Sequence, residues 1–240
     1  MRKYYPFYCL AVLLFFSCNA TKQATQQSIN INPYQYSGNK KIVASNGAVV
    51  SAHPLASKVG VEILKQGGNA VDAAIATQLA LAVVYPNAGN LGGGGFLVAR
   101  LSNGQLKAID YREMAPSSAH RDMYLNKNGD PLFEKSQEGH LSSGVPGTVA
   151  GLFASYAYAK LPFEKLIQPA IDLAEKGFCI TEREARSFNS LQTALIKYNT
   201  VMPAFVKTEW KKGDTLIQID LANTLKRIRD HGQAGFYEGE

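Results

Sequence analysis

The sequence has 240 residues, of which 46% are hydrophobic, 18% charged and 10% aromatic. This excludes collagen-like, coiled-coil and wholly disordered chains, and a chain of this size can bury about 72% of its unfolded surface in one large domain or part of one. The net charge is +6, from 25 Lys and Arg against 19 Asp and Glu, but bases and acids are interleaved. The basic stripe that nucleic-acid binding needs is missing, and no such partner is expected.

Arg2 and Lys3 precede an apolar run over residues 7–16. A membrane-spanning helix takes about 20 such residues, whereas half that length suits the hydrophobic region of an export signal. Ser17-Cys18 follows, the small-residue–cysteine step at which bacterial lipoproteins are cleaved, although Phe15 stands where leucine is usual. The reading is a signal peptide over residues 1–17 and lipidation at Cys18. The protein is then periplasmic or anchored at the outer membrane, touching the membrane by lipid only. An ordinary signal with an incidental cysteine is the alternative. Residues 18–40 are rich in Gln, Asn, Ser and Thr and bury too little apolar surface to order themselves, so they read as a tether. With Cys9 removed and Cys18 lipidated, Cys179 has no partner and no internal disulfide is expected.

Residues 41–51 (KIVASNGAVVS) carry two short β-branched runs around Asn46-Gly47, a hairpin dipeptide. His53-Pro54 opens a helix with Val59 and Ile63 on one face, stopped by Gly67-Gly68. Asn69 caps the next helix, with Asp72 at its third position. That helix (AVDAAIATQLALAVV) is apolar nearly all round, hence buried, and ends near Pro86. Residues 96–101 and 106–112 read as a strand pair. A two-residue Asn103-Gly104 turn pairs Ser102 with Gln105 and places Arg112 opposite Gly95. A turn is expected at residues 127–129. Thr148 caps a helix over VAGLFASYAYAK, a second helix spans residues 162–176 and stops at Gly177, and Thr181 to Glu184 form a capping box for a third. Residues 216–220 read as a short strand, with Asp220 capping a last helix. Strands flanked by helices indicate an α/β class with a mixed or antiparallel sheet.

Gly92-Gly93-Gly94-Gly95 lets the backbone approach a ligand closely. It is neither a phosphate loop nor a dinucleotide fingerprint, because a strand follows instead of a helix. Arg112, in DYREMAP, offers a planar fork that grips a carboxylate bidentately, and a salt bridge to Asp110 or Glu113 is its alternative role. His53, His120, His140 and His231 lack ligand spacing, so no metal is expected. Cys179 follows an apolar helix end and reads as core. No Gly-x-Ser-x-Gly elbow occurs. The residues by themselves describe a binding surface without a catalytic centre.

Five segments together resemble the gamma-glutamyltransferase (glutathione hydrolase) family: SAHPLASKVGVEILKQGGNAVDAAIATQLAL, VVYPNAGNLGGGGF, DYREMAP, VPGTVAGL and LANTLKRIRDHGQAGFYEG. The resemblance implies a four-layer αββα fold of the N-terminal nucleophile hydrolase type, from a precursor that cuts itself into a large and a small chain. It implies an N-terminal threonine on the small chain that attacks gamma-glutamyl amides such as glutathione, using its own amino group as base. The acyl group then passes to water or to an amino-acid or peptide acceptor, and no cofactor is implied. The arginine of the R-E-x-A-P motif, at Arg112 here, holds the substrate carboxylate. No threonine-led motif of the expected kind occurs before Glu240. Residues 41–240 are therefore expected to be the N-terminal portion of the large chain, inactive without the small chain. A related acylase of the same fold and a non-catalytic surface lipoprotein that binds amino acids or peptides are the alternatives.

Overall fold

The computed structural model describes residues 41 and 43–239; the expected signal, Cys18 and the tether lie outside the described residues. Helix α1 (Pro54–Lys65) begins with proline at its first position and His53 as cap, whose side chain accepts the Leu55 N–H. It closes in a Schellman motif. The Gly68 N–H reaches Ile63 O at 3.1 Å, the Gly67 N–H reaches Leu64 O at 3.0 Å, and Gly67 has φ +89°. Helix α2 (Ala70–Val84) then starts in a capping box made by Asn69 and Asp72.

Helix α2 is the centre of the core. Ile75, Leu79 and Val83 are inaccessible or nearly so, each worth about 1.5–3 kcal/mol of burial. Small residues allow close helix approach: a Cβ on Gly60 of α1 would overlap the Thr77 hydroxyl of α2. On another side α2 packs against α5 (Phe163–Lys176), which packs in turn against α7 (Ile219–His231). Gln218 ties the three together. Its backbone N–H donates to Ala174 O at 2.9 Å, and its side-chain amide donates to Val83 O at 2.8 Å.

The described residues form two antiparallel strand pairs. Strand β1 (Phe96–Arg100) pairs with β2 (Leu106–Asp110). Strand β3 (Phe178–Cys179) pairs with β4 (Thr215–Leu216). Helices α3 (Phe133–Gln137), α4 (Thr148–Tyr156), α6 (Glu182–Tyr198) and α8 (Ala234–Tyr237) complete the elements used below. Gly177 stops α5 with φ +76°, and Thr181 and Glu184 form the expected box at α6.

Several expectations are corrected. Residues 43–51 form no strand, and Val43 and Val50 are exposed. Two arms this short make a marginal hairpin, and the segment instead borders a cavity of about 660 Å³ over Leu64, Ala73 and Leu81. Thr148 is the first residue of α4, not its cap; Gly147 holds the cap position and brings no side-chain bond. Asp220 lies in the first turn of α7 behind the cap Gln218, so the strand expected at 216–220 shrinks to the end of β4. The β1–β2 turn is also one residue longer than expected. The Leu101 N–H reaches Gln105 O at 2.9 Å, and Gly104 closes a three-residue loop with φ +84°.

Candidate functional site

The longer turn slips the register by one residue. Tyr111, not Arg112, faces Gly95, with hydrogen bonds of 3.3 and 3.0 Å between their backbones. Arg112 therefore stands beside Gly94. A Cβ on Gly94 would sit 2.5 Å from Tyr111 O and 2.8 Å from Arg112 Cα, and one on Gly95 would meet the Tyr111 ring at 2.9 Å. None of the four glycines has a left-handed φ. Proximity, not turning, is what requires glycine here, and only at part of the run, since a Cβ on Gly92 meets nothing within 4 Å.

The opposite flank is built by residues 144–148. Met114 and Val145 exchange backbone bonds of 3.0 and 2.8 Å, and the N–H groups of Gly147 and Thr148 both donate to Gly93 O, at 2.8 and 3.0 Å. The Thr148 hydroxyl donates to Asn90 Oδ1 at 2.8 Å, which explains why it is not free to cap α4. A Cβ on Gly147 would overlap the Tyr111 carbonyl, and one on Gly151 would overlap the Tyr111 ring. The end of β2 is thus clamped between the glycine run and the start of α4. The Tyr111 hydroxyl reaches Gln78 Oε1 of α2 at 3.3 Å.

From this clamp the Arg112 side chain leaves toward solvent, 66% exposed. Its backbone N–H donates to Asp110 Oδ1 at 3.0 Å, and its Nε lies 3.5 Å from Glu113 Oε2. The guanidinium carbon is 5.9 Å from the Phe96 ring centre. Among the described residues, the two terminal nitrogens of the fork have no hydrogen-bond partner. An exposed pair this long contributes little, so an incoming carboxylate would displace little to take the fork. Arg112 lines an open cavity of about 400 Å³ together with Tyr111, Val145, Gly147, Gly151 and Tyr237.

The other candidates lie elsewhere. Cys179 is an exposed free thiol in β3, a correction to its reading as core: a two-residue edge pair leaves one side chain outward. His53 is buried beside Glu184. Among the described residues no group of three His, Cys, Asp or Glu could hold a metal ion. Tyr111, Gly147 and Tyr237 were missed by sequence reasoning; GVPGT was visible as a motif but carried no spacing rule that tied it to Arg112.

Residues 56–240 match the family model for gamma-glutamyltranspeptidase. The glutathione hydrolase proenzyme of Escherichia coli (strain K12) is 46% identical over 200 residues, which are 82% of this chain and 34% of that protein. The crystal structure of Helicobacter pylori gamma-glutamyltranspeptidase superposes with a TM-score of 0.80 at 44% identity, over 83% of this chain and 58% of that one. Cephalosporin acylase from Bacillus halodurans gives 0.72 at 27% identity, over 87% and 40%. This chain thus spans about a third of the length of the curated relative. The fold is part of the αββα arrangement of N-terminal nucleophile hydrolases, represented among the described residues by helices and two short antiparallel strand pairs. With its matched region running from residue 56 to residue 240, the chain belongs to the gamma-glutamyltranspeptidase family.

Proposed function

We propose that the full-length protein hydrolyses gamma-glutamyl amides such as glutathione and transfers the gamma-glutamyl group to water or to amino-acid and peptide acceptors. In this reading residues 41–240 supply the grip on the substrate's α-carboxylate, through Arg112. The observation that carries it is the fork of Arg112, fixed at its backbone by Gly94 and Gly147 yet unpartnered at its terminal nitrogens among the described residues. A planar fork matches a carboxylate in two parallel bonds.

The attacking threonine belongs to the small chain released by self-cleavage. Its α-amino group takes the hydroxyl proton as the oxygen bonds to the acyl carbon. The amide C–N bond then breaks, and the proton leaves with the amine. Water or an acceptor amine reverses these steps on the ester. Arg112 holds the far end of the glutamyl group and so sets where the acyl carbon lies. The remaining layers of the fold would cover the outer face of the hairpin, where Phe96, Val98 and Leu106 are exposed.

The test is Arg112→Ala in the full-length protein. Loss of a charged bidentate contact costs about 2–4 kcal/mol, so KM for a gamma-glutamyl anilide should rise about thirtyfold or more. Arg112→Lys should also fail, because a point charge does not replace the fork. An unchanged KM would overturn the assignment. The likeness to a cephalosporin acylase favours one second reading, an acylase for another acyl amide whose acyl group also carries a carboxylate. Faster hydrolysis of glutaryl than of gamma-glutamyl anilides would support it. We also propose export and lipid anchoring at Cys18; Cys18→Ala should then release the protein from the membrane fraction.

A further inference from the structure

The clamp around Arg112 depends on a residue at the other end of the described chain. Helix α4 begins behind the cap position of Gly147, which brings no side-chain cap. Gly147 has no freedom to carry one, because a Cβ there would overlap the Tyr111 carbonyl and come within 2.7 Å of the Arg112 carbonyl oxygen. A helix start without a cap leaves its first N–H groups unsatisfied. Here the Thr148 N–H goes to Gly93 O, and the Ala150 N–H, third in the helix, finds its acceptor 87 residues away in the Tyr237 hydroxyl, at 3.2 Å. The same hydroxyl donates to Pro146 O at 2.8 Å. One phenol thus replaces the missing cap and pins the preceding turn.

Tyr237 has a firm base for this. It ends α8, which follows α7 across Gly232, a residue with φ +64°. Gly235 sits so close to the end of α7 that a Cβ would overlap the Arg227 carbonyl. The Phe236 ring meets the Tyr237 ring edge-on at 4.9 Å, and Ala222, Leu225 and Ile228 hold α7 in the core. A continuous line of contacts therefore runs from the core through α7 and Tyr237 to Pro146 and Ala150, which flank Gly147, and from Gly147 to the backbone of Arg112.

Resting on the carboxylate reading of Arg112, we propose that Tyr237 is a positioning residue for substrate binding. Its hydroxyl seats the start of α4 against the end of β2, and so sets where the guanidinium fork stands. In this role Tyr237 acts on the fork through Pro146 and Ala150, which flank Gly147, and not by a bond to the carboxylate.

The test is a double-mutant cycle in the full-length protein, assayed with a gamma-glutamyl anilide below the melting temperature of every variant. Tyr237→Phe keeps the ring and removes the hydroxyl. Losing these neutral hydrogen bonds should raise KM about three- to tenfold and leave kcat within about twofold. In an Arg112→Ala background the same change should leave KM where Arg112→Ala put it. An equal rise in both backgrounds, or none in the wild type while Arg112→Ala raises KM, would overturn the positioning role and leave the carboxylate reading standing. An unchanged KM in Arg112→Ala would instead overturn the carboxylate reading, and this proposal with it.

Discussion

His53 links two helix starts by binding Glu184: its Nε2 lies 3.3 Å from Glu184 Oε1, while its Nδ1 accepts the Leu55 N–H at 3.2 Å. With Nδ1 accepting, the ring hydrogen belongs on Nε2 and is donated to the carboxylate. Glu184 also accepts from the Thr181 N–H at 2.6 Å and the Thr181 hydroxyl at 2.8 Å. Burial, the largest single influence, pushes the carboxyl's pKa up, but the bonds from His53 and Thr181 together outweigh it and hold the carboxyl below its ordinary value. A depressed folded-state value stabilises the fold above the unfolded value of 4.5. That contribution is lost as pH falls through the folded-state value. Glu184→Gln should therefore lower stability near neutrality and flatten its decline below about pH 4.5. Denaturation midpoints measured from pH 7 to pH 3 check this, and parallel curves for the two proteins would contradict it.

The glycine run separates into positions that tolerate a side chain and positions that do not. Gly94→Ala would press a methyl group against the backbone of Tyr111 and Arg112, at 2.5 and 2.8 Å. Backbone atoms of a clamped strand end have no cheap retreat, so the change should cost about 1–3 kcal/mol and raise KM for gamma-glutamyl substrates. Gly92→Ala meets open space and has no left-handed φ to strain, so its stability should stay within about 0.5 kcal/mol of wild type. Thermal melts and KM values for both variants measure this contrast. Equal damage at both positions would mean that the run is read by something other than close packing.

Local rules carried most of the helices. The proline and histidine at α1, the paired glycines after it, the cap at Asn69 and the box at Thr181 each follow from short-range chemistry, and all appear where expected. The failures lie where a distant partner decides. Thr148 gave up the cap position because Asn90 claims its hydroxyl. Gln218 displaced Asp220 as the start of α7, while its side chain bonds Val83 across the core. The hairpin register turned on a single loop residue, Gly104, and that slip moved Arg112 from Gly95 to Gly94. The site was legible as two motifs, GGGG and DYREMAP. The joint between them runs through Gly147 and Tyr237, which only the folded chain brings together.

Asp72 is a buried carboxylate with no cation paired to it among the described residues. Its oxygens accept the Asn69 N–H at 2.7 Å, the Lys160 N–H at 3.0 Å and the Leu161 N–H at 2.9 Å. Its charge also lies in the first turn of α2, where the helix dipole favours it. The side chain thus bolts the central helix to the loop that follows α4, and three backbone donors depend on it. Asp72→Ala leaves three part-buried donors without their acceptor and should cost about 2–4 kcal/mol. Asp72→Asn keeps the shape but turns one acceptor into a donor facing N–H groups, and should cost about 1.5–3 kcal/mol. Because the partners are backbone dipoles and not an exposed ion pair, raising the salt should leave both losses nearly unchanged. Urea denaturation of the three proteins at low and high ionic strength tests this. A loss below about 1 kcal/mol for Asp72→Ala, or one that salt abolishes, would show that the carboxylate is not what joins α2 to that loop.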